Sequence, residues 1–248
     1  MCQSRPWATV ILAMSLDGKI AAARGPDQLF GSRHDYDHLE ALVAQADGVI
    51  FGAATLRSGG TAMRVQREFL IQARLAQGKS AQPIQIVCSQ SGKIDPNLRF
   101  FQQPIPRYLL TTKAGARAWL DQDNLDQDNF AQVLSPTTSD DQIDLVAAYE
   151  QLHGLGIKKL AVLGGGVLIA SLLAAGLIDE WWVTLCPLVL GGTMAATPVA
   201  GLGFSVADAP RFQLVQSKQI GDELFLHYQV KSNKDGALTD SSANWSNT

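Results

Sequence analysis

The residues best placed to do chemistry in this chain are three consecutive glycines, Gly164, Gly165 and Gly166, inside KKLAVLGGGVLIASLLAAGLIDE. Leu160 to Leu163 reads as a buried strand, and the apolar stretch after the glycines as a helix that stops near Gly176. Residues without a Cβ let the backbone come close to a bulky anion. The helix start adds unpaired N–H groups and the positive end of its dipole, so the pattern predicts a pyrophosphate site. Two structural alternatives share the segment. Leu160 to Ile178 is uncharged and long enough to span a bilayer, although three glycines weaken any continuous helix there. A tight strand–helix turn would use the same triplet without a ligand. GGGVLIA is also not the G-x-G-x-x-G fingerprint of dinucleotide-binding domains.

Other candidates follow strand-like runs. Ser15-Leu16-Asp17-Gly18-Lys19-Ile20-Ala21 leaves the first apolar run, with a turn pair and a cation on a long arm; a surface turn with a solvated lysine is the plain alternative. Gly52-Ala53-Ala54-Thr55-Leu56-Arg57 offers small residues, a hydroxyl and an arginine suited to phosphate or ribose, or simply a capped helix start. His34 and His38 lie four apart with Asp35 and Asp37 nearby, but no third ligand has matching spacing, so no metal is expected. No Gly-x-Ser-x-Gly elbow or Cys–His pair suggests covalent hydrolysis.

The elements that must carry these groups alternate. Trp7 to Ala13, Gly48 to Gly52, Ile84 to Cys88 and Arg107 to Thr111 read as buried strands. His34 to Ala46 is helical, with Ser32 as N-cap, and Arg64 to Gln77 is weakly so. Asp121 to Asp141 is a polar, loop-rich rim around FAQVL, and Asp140 to Leu155 a helix capped by its acidic pair. Glu180 to Gly192 predicts one long strand, whose Trp181 and Trp182 point to opposite faces, one to the core and one to a ligand or subunit interface. Phe212 to Ser217 and Leu224 to Val230 form a hairpin around GDE. Residues 1–230 are expected to be a single domain, and 231–248 a polar, disordered tail.

With 248 residues, 46% hydrophobic and 17% charged, the composition suits a compact soluble protein. A net charge of −3 gives no reason to expect nucleic acid or an anionic membrane as partner. Cys2, Cys88 and Cys186 are widely spaced, which favours a reducing, cytoplasmic setting; no secretory leader is evident.

The ordered set SLDGKIA (Ser15 to Ala21), GAATL (Gly52 to Leu56) and LGGGVLIASLLAAGLIDE (Leu163 to Glu180), followed by Leu190-Gly191-Gly192, resembles the pyrimidine reductases of riboflavin biosynthesis. These are also the reductase half of bifunctional deaminase–reductases, and the likeness runs from about Trp7 to Val230. It implies a dihydrofolate-reductase-like α/β fold: a mixed, mostly parallel sheet, helices on both faces and a C-terminal antiparallel hairpin. It implies NADPH as cofactor, a small-molecule substrate and a homodimer paired through the late strands. The implied reaction is that of 5-amino-6-(5-phosphoribosylamino)uracil reductase: hydride transfer to C1′, opening the ribose to a ribityl chain. On the cofactor side it implies Ala13, Thr55, Ser89, Gly164, Gly165, Gly166, Val167 and Leu168. On the substrate side it implies Asp17, Lys19, Gly59 and Leu163, with Lys19 as the catalytic candidate. Gly59 and Leu163 stand where the family carries acids, and Val43 where it often carries an arginine. Arg57, Arg64 and Arg67 are alternative phosphate contacts by proximity. The competing expectations are a diverged nucleotide-binding module without catalysis, and a reductase of a folate-type or other carbonyl substrate.

Overall fold

Nine strands join in one sheet in the computed structural model, which describes residues 4–23, 30–120 and 129–231. In chain order these are β1 (Trp7–Ser15), β2 (Gly48–Gly52), β3 (Ile84–Ser89), β4 (Arg107–Thr111), β5 (Gln132–Leu134), β6 (Lys159–Val162), β7 (Glu180–Cys186), β8 (Phe212–Ile220) and β9 (Glu223–Val230). Across the sheet they run β5-β4-β3-β2-β6-β1-β7-β9-β8. All pairs from β5 to β7 are parallel, and β7–β9 and β9–β8 are antiparallel. The α/β class, the mostly parallel sheet and the closing hairpin therefore stand as expected. β6 inserts between β2 and β1, so the chain direction across the sheet reverses there. In open α/β sheets such a reversal opens a crevice beyond the carboxyl ends of the strands.

Apolar surface on both faces explains why the central strands are unbroken hydrophobic runs. On one face Ala8, Val10 and Val162 pack against Tyr149, Leu152, Ile169 and Leu172, from α6 (Leu145–Gly154) and α7 (Gly166–Ala174). On the other, Ile11, Val49 and Phe51 meet Val43 of α1 (Arg33–Val43) and Leu56 of α2 (Ala53–Gly59). Each such large side chain contributes about 1.5–3 kcal/mol on burial. The uncharged run Leu160 to Ile178 divides into strand, loop and nine-residue helix, and no helix among the described residues is long and apolar enough to cross a membrane.

Several boundaries differ from the sequence reading, each for a local reason. The helix expected from Arg64 begins only at Glu68, as α3 (Glu68–Ala76). The amides of Gln66 and Arg67 instead donate to Glu40 Oε1 at 2.6 and 2.8 Å, while Arg67 Nε donates to Oε2 at 2.9 Å. That holds the preceding segment extended. The helix expected from Asp140 starts at Leu145, because the cap is Asp144, whose carboxylate accepts from Ala147 N at 3.0 Å. Asp141 has φ +55°, outside the right-handed helical region. β7 stops at Cys186, before Pro187, which has no N–H for the ladder. The Ser32 cap is as expected, accepting from His34 N and Asp35 N. The two-residue hairpin turn places Gly221 at φ +59°. Residues 121–128 of the polar rim, residues 232–248 of the tail and Cys2 lie outside the described residues.

Candidate active site

The carboxyl ends of β1, β2, β6 and β7 bring most of the anticipated residues to one edge of the sheet. β6 delivers Leu163, whose N–H donates to Ile50 O, and then the glycine loop. Gly52 N donates to Gly164 O at 2.8 Å, tying the ends of β2 and β6 together. Gly164 has φ +99°, a conformation in which a side chain is strained. A Cβ on Gly165 would lie 3.3 Å from Thr55 Oγ1, and one on Gly166 only 2.4 Å from Thr197 O. The loop is therefore walled by Thr55 on one side and residues 197–200 on the other. Gly165 is the N-cap of α7, with no side chain capping it, so the first N–H groups of α7 are open to an anion. Leu168 is buried in the core and can meet a ligand only through its backbone, whereas the Val167 side chain is exposed. These features fit a dinucleotide diphosphate.

Thr55 sits in the first turn of α2, and its hydroxyl has no partner among the described residues. Ser89 ends β3, buried and beside Thr111; the neighbouring register pair, Gly52 with Cys88, places it one strand from the glycine loop. Ala13 lies in β1 opposite Thr184 of β7.

The Ser15–Ala21 turn lies at the same edge. Gly18, at φ +75°, lets the chain fold back so that Ser15 N reaches Lys19 O at 2.9 Å. Asp17 is engaged entirely within the chain. Its Oδ1 accepts from Ser15 Oγ at 2.7 Å and Leu190 N at 3.0 Å, and its Oδ2 from Gly191 N at 2.7 Å. The carboxylate thus ties the turn after β1 to the loop after β7. The Ser15 hydroxyl chiefly, then the Leu190 amide, lowers its pKa from 3.8 to about 2. Because the folded value is the lower one, the tether is complete above the ordinary value and is lost as pH falls through about 2. Asp17→Ala should speed amide exchange at Leu190 and Gly191 at neutral pH; unchanged protection would contradict the tether. Lys19 is half-buried, with no ionic or hydrogen-bond partner for its ammonium among the described residues.

Gly59, at the end of α2, has an ordinary φ and nothing within 4 Å of where a Cβ would stand. Leu163 packs against the core on the α1 side, and Val43 is fully buried there. Arg67 is bound to Glu40, while Arg57 is exposed. Trp181 packs on Phe212 on the α7 side. Trp182, on the other face, has His227 stacked on it at 4.1 Å and His38 edge-on at 4.9 Å. A cleft of about 430 Å³ lies towards the opposite ends of these strands, lined by Trp7, Thr9, Glu180, Trp182 and His227 among others. His227 Nε2 stands 3.4 Å from Glu180 Oε1, within ionic range but without hydrogen-bond geometry. The glycine loop does not border this cleft, which is therefore separate from the site at the carboxyl ends.

Sequence reasoning passed over Asp35 except as a neighbour of two histidines. It lines a small cavity with Ala13, Thr184 and His38, and burial raises its pKa above the ordinary carboxylate value. Its one signal was position: Asp35, His38, Leu39 and Leu42 form an i, i+3, i+4, i+7 stripe, in which apolar residues are the norm. His34, by contrast, is exposed.

Comparison with known proteins agrees with this geometry. Residues 6–226 match the RibD C-terminal domain family. The chain is 30% identical over 228 residues to the 2,5-diamino-6-ribosylamino-4(3H)-pyrimidinone 5′-phosphate reductase of Methanothermobacter thermautotrophicus, covering 92% of this chain and 99% of that one. It is 30% identical over 226 residues to the riboflavin biosynthesis protein RibD of Escherichia coli, covering 90% of this chain but 59% of the longer relative. Among solved structures, a pyrimidine reductase-like protein from Corynebacterium diphtheriae shares the fold, with a TM-score of 0.73 at 19% identity, over 92% of this chain and 93% of that one. With an uncapped helix behind a walled glycine loop, Thr55 facing it and the family match spanning nearly all of β1 to β9, the chain belongs to the RibD C-terminal domain family.

Proposed function

We propose that this protein is an NADPH-dependent reductase of a ribosylaminopyrimidine 5′-phosphate in riboflavin biosynthesis, acting as a cytoplasmic homodimer. The observation that carries the reading is the uncapped N-terminus of α7 behind Gly164–Gly166, beside a Thr55 hydroxyl that has no partner among the described residues. The bound nicotinamide supplies the hydride. The chain's own work is binding and orientation. Backbone amides from Gly165 to Leu168 hold the diphosphate, and Thr55 and Ser89 flank it. Ala13, at the end of β1, meets the nicotinamide side. Lys19, whose ammonium has no partner among the described residues, serves the substrate side, where it offsets phosphate charge or stabilises charge at the reacting carbon. The Asp17 tether keeps the Lys19 turn against the loop at Leu190 and Gly191. Residues 1–230 act as one catalytic unit in this reading.

The test follows nicotinamide absorbance with NADPH and NADH against ribosylaminopyrimidine phosphates, with the mass measured by light scattering. Saturable NADPH oxidation with ribityl product supports the proposal. A protein that binds NADPH yet never oxidises it favours instead a nucleotide-binding module. That second reading draws on Leu163 and Gly59, which stand where the resemblance implies acids. The open space at Gly59 admits Gly59→Asp without a clash, so pairing it with Leu163→Glu tests restoration.

A further inference from the structure

The cleft at the amino ends of the strands has a chemistry that the reductase reading does not use. Side chains alternate along a strand, so Trp7 and Thr9 of β1 share one face with Lys159 and Ala161 of β6 and with Glu180 and Trp182 of β7. Thr9 and Ala161 are small, and they separate the level of Trp7 from that of Trp182. Leu42, Gln45 and Ala46, where α1 runs out, close one side only. The opening that remains is about 430 Å³, within the range of about 300–1,000 Å³ that small-molecule sites occupy. Trp182 is already covered, by His227 stacked on it and His38 edge-on. The indole left open is that of Trp7, which is 39% exposed.

Two opposite charges stand at the two ends of this opening. Glu180 lies inside. Its oxygens accept from Thr9 Oγ1 at 3.1 Å and from Gln229 Nε2 at 3.1 Å, and its ionic neighbour is His227, an imidazole and not a permanent cation. Burial works against its charge, but hydrogen bonding, led by Gln229, outweighs it and holds the pKa below the ordinary value. Glu180 is therefore an anion at neutral pH, and a carboxylate has room for more donors than these two. Lys159 stands at the mouth, exposed, with no partner for its ammonium among the described residues. The register puts Lys159 beside Trp7 and Glu180 beside Thr9, two strands apart, so their Cα atoms are about 12 Å from each other. We propose that this cleft is a second ligand site, which binds an amino-bearing nucleoside 5′-monophosphate: exocyclic amine to Glu180, base on Trp7, phosphate to Lys159. An exocyclic amine supplies N–H donors to a carboxylate, a base stacks on an open indole, and a phosphate pairs with an ammonium. Both charges of the cleft are then answered by one molecule. The site lies across the sheet from the glycine loop and does not depend on the reductase reading.

The experiment is a calorimetric titration of the full chain with adenosine 5′-monophosphate, at saturating NADPH so that the glycine loop is blocked. One molecule should bind per chain. Purine riboside 5′-monophosphate, which lacks the amine, should bind about tenfold more weakly. Lys159→Met should weaken the monophosphate about fivefold and leave adenosine unaffected, and Glu180→Gln should weaken both about tenfold. Lys159 is exposed and unpaired, so its variant keeps the test valid even where Glu180→Gln fails to fold. Quenching of tryptophan emission on binding should disappear in Trp7→Phe. Loss of the binding heat when NADPH is added, equal affinity with and without the amine, or an unchanged affinity in Lys159→Met overturns the proposal. So does a mass by light scattering that falls in Trp7→Ala, which would make the cleft a contact between copies of the chain.

Discussion

Gly166→Ala is expected to weaken nicotinamide-nucleotide binding by about tenfold or more, since shifts of an ångström at a positioning site have effects of that order or larger. The added Cβ would lie 2.4 Å from Thr197 O and 3.2 Å from both Ala200 N and Ala200 Cβ. Two of those three neighbours are backbone atoms, and Ala200 N is itself bonded to Gly166 O at 3.1 Å. No side-chain rotation relieves the contact, so the glycine loop or residues 197–200 must move. The φ of Gly166 is ordinary, which assigns the effect to contact and not to backbone strain. Gly154→Ala is the control: nothing lies within 4 Å of that Cβ and its φ is also ordinary. Calorimetric titration with NADPH reads both variants, and wild-type affinity in Gly166→Ala would dismiss the account of the loop.

The second large effect concerns stability. Glu40 is 1% exposed and holds the amides of Gln66 and Arg67 together with the Arg67 guanidinium. Glu40→Ala leaves two backbone donors without their acceptor and the Arg67 guanidinium with Asp37 alone. Breaking a buried pair from one side costs about 3–5 kcal/mol, the upper part applying to fully enclosed partners. Arg67 is 26% exposed, which places the expected loss near about 3 kcal/mol. For a chain of this length that lowers Tm by roughly 6–12 °C. Urea unfolding measures it, and a loss under about 1 kcal/mol would show that the segment before α3 is held by other means.

The fold was legible where composition alone determines burial. GVIFG and IQIVC read as strands covered on both faces, and the structure places both inside the sheet, with a paired strand on each side. Long-range polar contacts were not legible. Nothing near Arg64 announces that Glu40, more than twenty residues earlier, takes the amides that a first helical turn would leave free. Asp140 and Asp141 offered the same capping chemistry as Asp144, which is the one that caps the helix, beyond the bridge between Thr137 and Ile143. The glycine turn between β6 and α7 could be read because glycine next to an apolar strand and helix has few uses. Asp35 was hidden because an acid in a first helical turn is ordinary capping chemistry, until the facing strand residue is known to be Thr184.

The placement of β6 has a consequence for biosynthesis. β1 pairs only with β6 and β7, so Trp7 finds its neighbour at Lys159 and Val10 at Trp181. While the ribosome makes everything between, the earliest strand carries a bare row of amides and carbonyls on each side. Folding must then be late and dominated by distant pairings, which are slow to form and exposed to aggregation. A nascent chain halted before Lys159 should be a client of chaperones, and one halted after Cys186 should not.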